Sequence, residues 1–448
     1  MTEPSQLPGV QIGKDGLPVS VESVEVNDIP DFEDVHQDSE EEEGNDKTKY
    51  VALLPTVMNL LNSLLGAGIL SVPNTFINTG VIPSVVLIIF IAFISWIATC
   101  MVIILQRETG AVGYDDLAFR TLGKYGSLTL SILSLLFLVS AMLAYIIIGG
   151  DMILSWFQLA GINLNSMWPR ATVITIYALS IPIALTIPRN IRFLSYFSTA
   201  TVAFILFYFF SITYKGLTFT MGKGVNPTIK MIKLDSSLFS SLSIYSLTFA
   251  LPVVVLPIIS LYTPNPKRRN LATLYACIAC VLLVSIPSVF GYLMFGTATD
   301  GNILKSFPAN DYLIVVVRGA FFFVVSFAYP AVGQSVLCSW SQIFFSNNSA
   351  NSLPTGKRTI VLLVSNGLPL LMAIFLSSAK PALSVGGAIG GCLANFTYPA
   401  LMWVVHSKEN WFSMKNLLSI VFAIFGIVTG VIATYQAVQD AIKSFSSL

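Results

Sequence analysis

Few side chains in this sequence are placed to do chemistry, so most of the chemistry falls to the backbone. The two histidines, His36 and His406, lie in an acidic N-terminal stretch and in a predicted loop. No imidazole is left inside an apolar segment for a metal centre or an acid–base pair. Five cysteines, Cys100, Cys277, Cys280, Cys338 and Cys392, all sit within apolar runs, which leaves no disulfide framework outside those runs. Cys277 and Cys280 have the spacing of a redox pair, but two small residues three apart in an apolar helix more commonly serve close packing. Asp151 is the only acid set deep within an apolar run; such a group marks either a coupling or gating role or a solvated helix end. The backbone offers more. Gly66-Ala67-Gly68, and Leu251-Pro252 followed by Pro257, interrupt two further apolar runs. Glycine frees the chain, whereas proline removes a donor and clashes with the preceding turn. A helix broken in this way presents unpaired N–H and C=O groups that bind ions without any charged side chain.

The elements that must hold these breaks follow from composition. Over 448 residues, 54% are hydrophobic and 10% charged, with mean hydropathy +0.76, the signature of an all-α polytopic membrane protein. No catalytic cluster, ring of charges or repeated filter sequence points to a membrane enzyme or a channel, and nothing points to nucleic acid. The net charge of +1 hides a division. Residues 1–46 carry fourteen acids and one lysine, and residues 47–448 carry nine acids and 23 bases. The first segment reads as a disordered cytoplasmic tail, too poor in large apolar side chains to fold alone. Its acidic run Ser39 to Glu43 also suits a basic protein partner or phosphorylation. No basic region followed by an apolar core opens the chain, so the first span is expected to direct its own insertion.

Residues 47–448 then form the membrane domain, with eleven spans near 50–76, 81–105, 127–157, 171–187, 191–214, 237–262, 271–295, 311–345, 359–378, 382–405 and 416–438. Basic residues concentrate on the side of the N-terminus, placing that end in the cytoplasm and the C-terminus opposite. Sequon Asn347-Asn348-Ser349 is then cytoplasmic and Asn395-Phe396-Thr397 intramembrane, so neither is expected to be glycosylated. Eleven spans divide as five, five and one. The two interrupted spans are the first of each five, as in transporters built from inverted repeats.

The stretch Asn59 to Gly80, NLLNSLLGAGILSVPNTFINTG, resembles the first helix of the amino acid/auxin permease family, with its sodium-coupled neutral and vacuolar amino acid transporters. Phe290-Gly291-Tyr292-Leu293-Met294-Phe295-Gly296 with Asn302-Ile303-Leu304 is similar to the family's helix 7 end, the most specific match. Val255-Leu256-Pro257-Ile258 with Lys267-Arg268-Arg269, Tyr329-Pro330, and Gly386-Gly387-Ala388 with Pro399-Ala400-Leu401 agree in order. The resemblance covers about residues 50–438. It implies a LeuT-like 5+5 inverted repeat plus one helix, carrying amino acids, most simply neutral ones, by alternating access. Substrate then meets Gly66, Ala67, Gly68 and Ile69 in the first span, and Phe249, Leu251 and Pro252 in the sixth. Freed N–H groups after Gly66 take the carboxylate, and freed carbonyls of the sixth span take the ammonium.

Two departures bear on coupling. The sodium-coupled branch carries a Cys-His pair where this chain has Leu251-Pro252. Its cation site also uses a helix 1 asparagine, matched by Asn62, and a helix 8 threonine, replaced here by Ala328 unless Ser326 substitutes. With Asp151 as the remaining candidate coupling group, no cofactor is called for and the coupling ion is sodium or a proton. The expected membrane is the plasma membrane or that of a vacuole or lysosome. The rival reading is an amino acid-sensing receptor without productive turnover, favoured only by the acidic tail.

Overall fold

The computed structural model describes residues 50–66, 68–164, 166–189, 194–345, 350–376, 378–407, 409–410 and 413–446, within one compact unit, Tyr50–Leu448. The acidic tail, Ala67 and the sequon at 347–349 lie outside the described residues. In chain order the α-helices are α1 (Leu53–Leu64), α2 (Gly68–Thr79), α3 (Val81–Thr109), α4 (Tyr114–Leu159), α5 (Met167–Ser180), α6 (Pro182–Thr186), α7 (Leu194–Lys223), α8 (Leu238–Thr248), α9 (Leu251–Ile259), α10 (Pro266–Phe295), α11 (Tyr312–Phe345), α12 (Thr355–Phe375), α13 (Lys380–Gly386), α14 (Tyr398–His406) and α15 (Met414–Ser446). A π-helical segment, Gly387–Thr397, joins α13 to α14. No strand occurs among the described residues. Among the described residues ten helical stretches are long and apolar enough to cross a bilayer, and α1 with α2, bent by 57°, makes an eleventh if the pair is counted as one span.

Burial follows from the solvent. Ile89 and Phe93 on α3 and Val421, Ile424, Val428 and Val431 on α15 face outward, as apolar side chains do where lipid is the surroundings. Glycine, alanine, serine and threonine line the helix contacts within, where small side chains let backbones approach. The two interrupted spans run antiparallel at the centre: α2 packs on α8 and α1 on α9. First half therefore meets second half, the relation expected of repeats with opposite topology.

The long α4 is two helices. Gly123 has φ 76° and ψ −170°, and its left-handed φ suits glycine. The chain turns there from the short stretch Tyr114–Leu122 into the buried span. One end of the bundle carries Arg107, Arg120 and the run Lys267-Arg268-Arg269. There Arg269 donates to Gln106 Oε1 (2.8 Å), joining the amino end of α10 to the carboxyl end of α3, and Arg358 donates to the Ile187 carbonyl (2.8 Å). We refer to it as the basic end.

Candidate functional site

Glycine is required in the first break by what surrounds it. A Cβ on Gly66 would run into the Tyr145 hydroxyl from α4, and one on Gly68 would lie 2.6 Å from Thr248 Oγ1 of α8. Leu65 closes α1 with its N–H on the Leu61 carbonyl (2.8 Å), and the Gly66 N–H reaches the Leu64 carbonyl (3.0 Å). The carboxyl end of α1 thus faces the amino end of α2 across a few residues. The two helix dipoles put partial negative and partial positive charge side by side. A hydroxyl seam fixes α2 against α8: Thr75 Oγ1 and the Tyr245 hydroxyl are 2.7 Å apart, and Ser241 Oγ donates to the Thr75 carbonyl (3.1 Å).

The second break, at Phe249 and Ala250, is satisfied from within. The Phe249 carbonyl accepts from the Leu251 N–H (2.8 Å), from Asn395 Nδ2 (3.2 Å) and from Ser95 Oγ. An unpaired carbonyl in this setting would cost several kcal/mol, so neighbouring helices supply donors.

A cavity of about 1050 Å³ opens at the basic end. Asn62 and Ser63 of α1, Tyr145 of α4, Val253, Val254, Pro257 and Ile258 of α9, and Phe327, Ala328 and Gln334 of α11 are among its walls. Asp115 and Asp116 are its charged lining residues, and Asp116 pairs with Arg120 at 3.0 Å. A smaller cavity of about 260 Å³ between α1 and α9 shares Asn62 and Ser63.

The opposite end is closed by packing. Asn74 of α2 donates to the Thr299 carbonyl (2.5 Å), while Ile303 and Leu304 are fully buried. Arg318 of α11, itself buried, donates to the Leu304 and Phe307 carbonyls (2.8 Å each). Lys215 Nζ meets Asp311 Oδ2 at 2.7 Å. Among the described residues the interior is thus open to the cavity at the basic end and packed at the other.

A family profile described as transmembrane amino acid transporter protein matches residues 52–439. The chain belongs to this family. Vacuolar amino acid transporter 5 of Schizosaccharomyces pombe is 24% identical over 371 residues, covering 79% of this chain and 84% of that one. A putative sodium-coupled neutral amino acid transporter 10 of Xenopus laevis is 24% identical over 395 residues, 85% of this chain but 36% of the longer relative. Among solved structures, that of MhsT in complex with L-phenylalanine superposes with TM-score 0.54 at 12% identity, covering 88% of this chain and all of that one. This likeness establishes the fold, a LeuT-like arrangement of membrane helices. The chain is a multi-pass membrane transporter of amino acids.

The fold of this amino acid transporter distributes the sequence-predicted residues unevenly. Asn62 and Ala328 share the large cavity. Ser326 does not join them: it is buried, with its hydroxyl 2.9 Å from that of Tyr177. Gly66 and Gly68 sit at the first break, and Ile69 is buried behind it. Phe249, Leu251 and Pro252 are buried at the second break, where the Phe249 carbonyl, one of the sixth-span carbonyls available to an ammonium, is already engaged. Ala67 falls outside the described residues. Asp151 is a correction to the solvated-end reading: it is 3% exposed, with Lys305 Nζ at 3.6 Å and Arg170 at 4.0 Å. Residues 303–306 cover what helix length alone placed at the interface. Tyr145, Ser95 and Asn395 went unnoticed as site residues in the sequence. Only Asn395 carried a signal, as an intramembrane sequon.

Proposed function

We propose that this transporter carries neutral L-amino acids by alternating access, and that the arrangement described is the form open at the basic end. The observation supporting this reading is the large cavity that runs from that end to Asn62, Ser63 and Tyr145 beside the first-span break, with no basic residue among its lining side chains. A zwitterion fits the poles of the break. Its carboxylate faces the amino end of α2 near Gly66, Gly68 and the Tyr145 hydroxyl, and its ammonium faces the carboxyl end of α1. An aliphatic or aromatic side chain extends toward Val253, Val254 and Phe327. The printed names of the two relatives agree with an amino acid substrate, one of them with a neutral one.

Sodium coupling is weak or absent in this reading. Ala328 offers no side-chain oxygen to a hard cation, and the Ser326 hydroxyl is engaged by Tyr177. The host membrane is vacuolar or plasma membrane, and the acidic tail serves a basic partner. Counterflow of labelled amino acids in proteoliposomes, with sodium and pH gradients imposed separately, tests the substrate and coupling assignments. Counterflow with glutamate or arginine but not with leucine or phenylalanine would overturn neutral selectivity.

A further inference from the structure

Asn395 is fully buried within the π-helical segment Gly387–Thr397. Its side chain is shared between two other elements. Nδ2 donates to the Phe249 carbonyl at 3.2 Å, and Oδ1 lies 3.3 Å from the Ser95 hydroxyl of α3, which also donates to that carbonyl. With the Leu251 N–H, the carbonyl at the break between α8 and α9 has three donors from the protein itself.

The backbone around Asn395 is held as closely. A Cβ on Gly387 would collide with the Ser243 carbonyl of α8, and one on Gly391 would lie 3.2 Å from the Leu247 nitrogen. Helix α8 and the π-helical segment therefore approach almost backbone to backbone, and side chains on either would force them apart. Wide π turns inside α-helices recur at functional sites; here the wide turn carries the amide that reaches Phe249.

We infer that Asn395 and Ser95 are positioning residues for transport: by holding the Phe249 carbonyl they keep the break between α8 and α9 formed without a bound amino acid and make α3, α8 and the π-helical segment move together. Helix α9 is the affected wall, because Val253, Val254, Pro257 and Ile258 line the cavity. Losing the donors frees a carbonyl in a dry interior, and α9 must rotate or admit water to satisfy it. Turnover is then impaired more than binding, because neither side chain lines the cavity.

The test uses the full chain in proteoliposomes, with counterflow of labelled leucine or phenylalanine. Asn395→Leu keeps the side-chain size but removes the amide donor; Ser95→Ala removes the hydroxyl and Ser95→Thr retains one. Cys338, which lines the cavity, reports the open form through its alkylation rate, followed by site-resolved mass spectrometry. The expected result for Asn395→Leu and Ser95→Ala is about a tenfold loss of maximal rate with half-saturation changed by no more than about threefold. Ser95→Thr stays near the unmodified rate, and Cys338 in the impaired variants is alkylated faster and without protection by substrate.

Unmodified rates per folded molecule in Asn395→Leu would overturn the inference. So would losses that merely follow the amount of folded protein, with Cys338 alkylation unchanged. If Asn395 variants fail to accumulate, the contrast between Ser95→Ala and Ser95→Thr decides alone. The inference rests on the transport reading. Absence of counterflow with any amino acid in the unmodified protein removes that reading, whereas normal counterflow in the variants removes only the positioning role.

Discussion

The Tyr145 hydroxyl occupies the space that a side chain at position 66 would need. The glycine is thus fixed by a neighbour on another helix as well as by the turn it makes. Gly66→Ala forces Tyr145 or α1 to move, at a cost of about 1–3 kcal/mol for overpacking. Removing the hydroxyl in Tyr145→Phe restores the room. We expect Gly66→Ala to lower thermal stability and uptake, and adding Tyr145→Phe to recover the stability but not the uptake. Full recovery of uptake in the double variant would show that the hydroxyl only fills space.

The second prediction concerns the coupling ion. If the cation shell lacks one oxygen at position 328, Ala328→Thr lowers the sodium concentration for half-maximal uptake by about fivefold, the worth of one contact of ~1 kcal/mol. Asn62→Ala removes what sodium dependence the unmodified protein has. Steep sodium dependence unaffected by Asn62→Ala would place the ion elsewhere.

Asp151 gives a third. It is buried between Lys305 and Arg170, so replacing it with leucine leaves cations without their carboxylate. The expected loss is roughly 3 kcal/mol, near the low end for a broken buried pair because the Lys305 side chain stays about a third exposed. Thermal unfolding in detergent measures it. Added salt should leave most of the difference, since a buried pair is poorly screened; a difference abolished by salt would assign the pair to the surface.

Topology gives the fourth. With α1 and α2 counted as one span, eleven crossings are expected to put residue 50 and the end of α15 on opposite sides of the membrane, with the basic end in the cytoplasm. Tags placed at the two ends should differ in accessibility on sealed vesicles. Equal accessibility would require an even number of crossings and would dissolve the five-five-one division.

The spans and both breaks were legible in the sequence because they are local. A run of about 20 apolar residues suffices to predict a crossing, and Gly66, Gly68 and Leu251-Pro252 mark the breaks by their own covalent structure, whereas Pro257, expected to interrupt the same span, sits inside α9. The occupants of the breaks were not legible. Tyr145 meets Gly66, and Asn395 meets Phe249, only because separate helices pack side by side, and no spacing along the chain encodes such a meeting. Asp151 shows the intermediate case. Counting helical rise placed it correctly toward one end of α4, but the chain between α10 and α11 that covers it carries no local signal of where it folds back.

The π-helical segment also changes how residues 380–406 should be mapped. An α-helix returns to the same face every 3.6 residues, so mutational tolerance along it oscillates with that period. Across Gly387–Thr397 each turn holds more residues. The oscillation seen in α13 therefore resumes in α14 out of phase, and a single helical wheel drawn through both assigns residues such as Met402 and Val404 to the wrong neighbours.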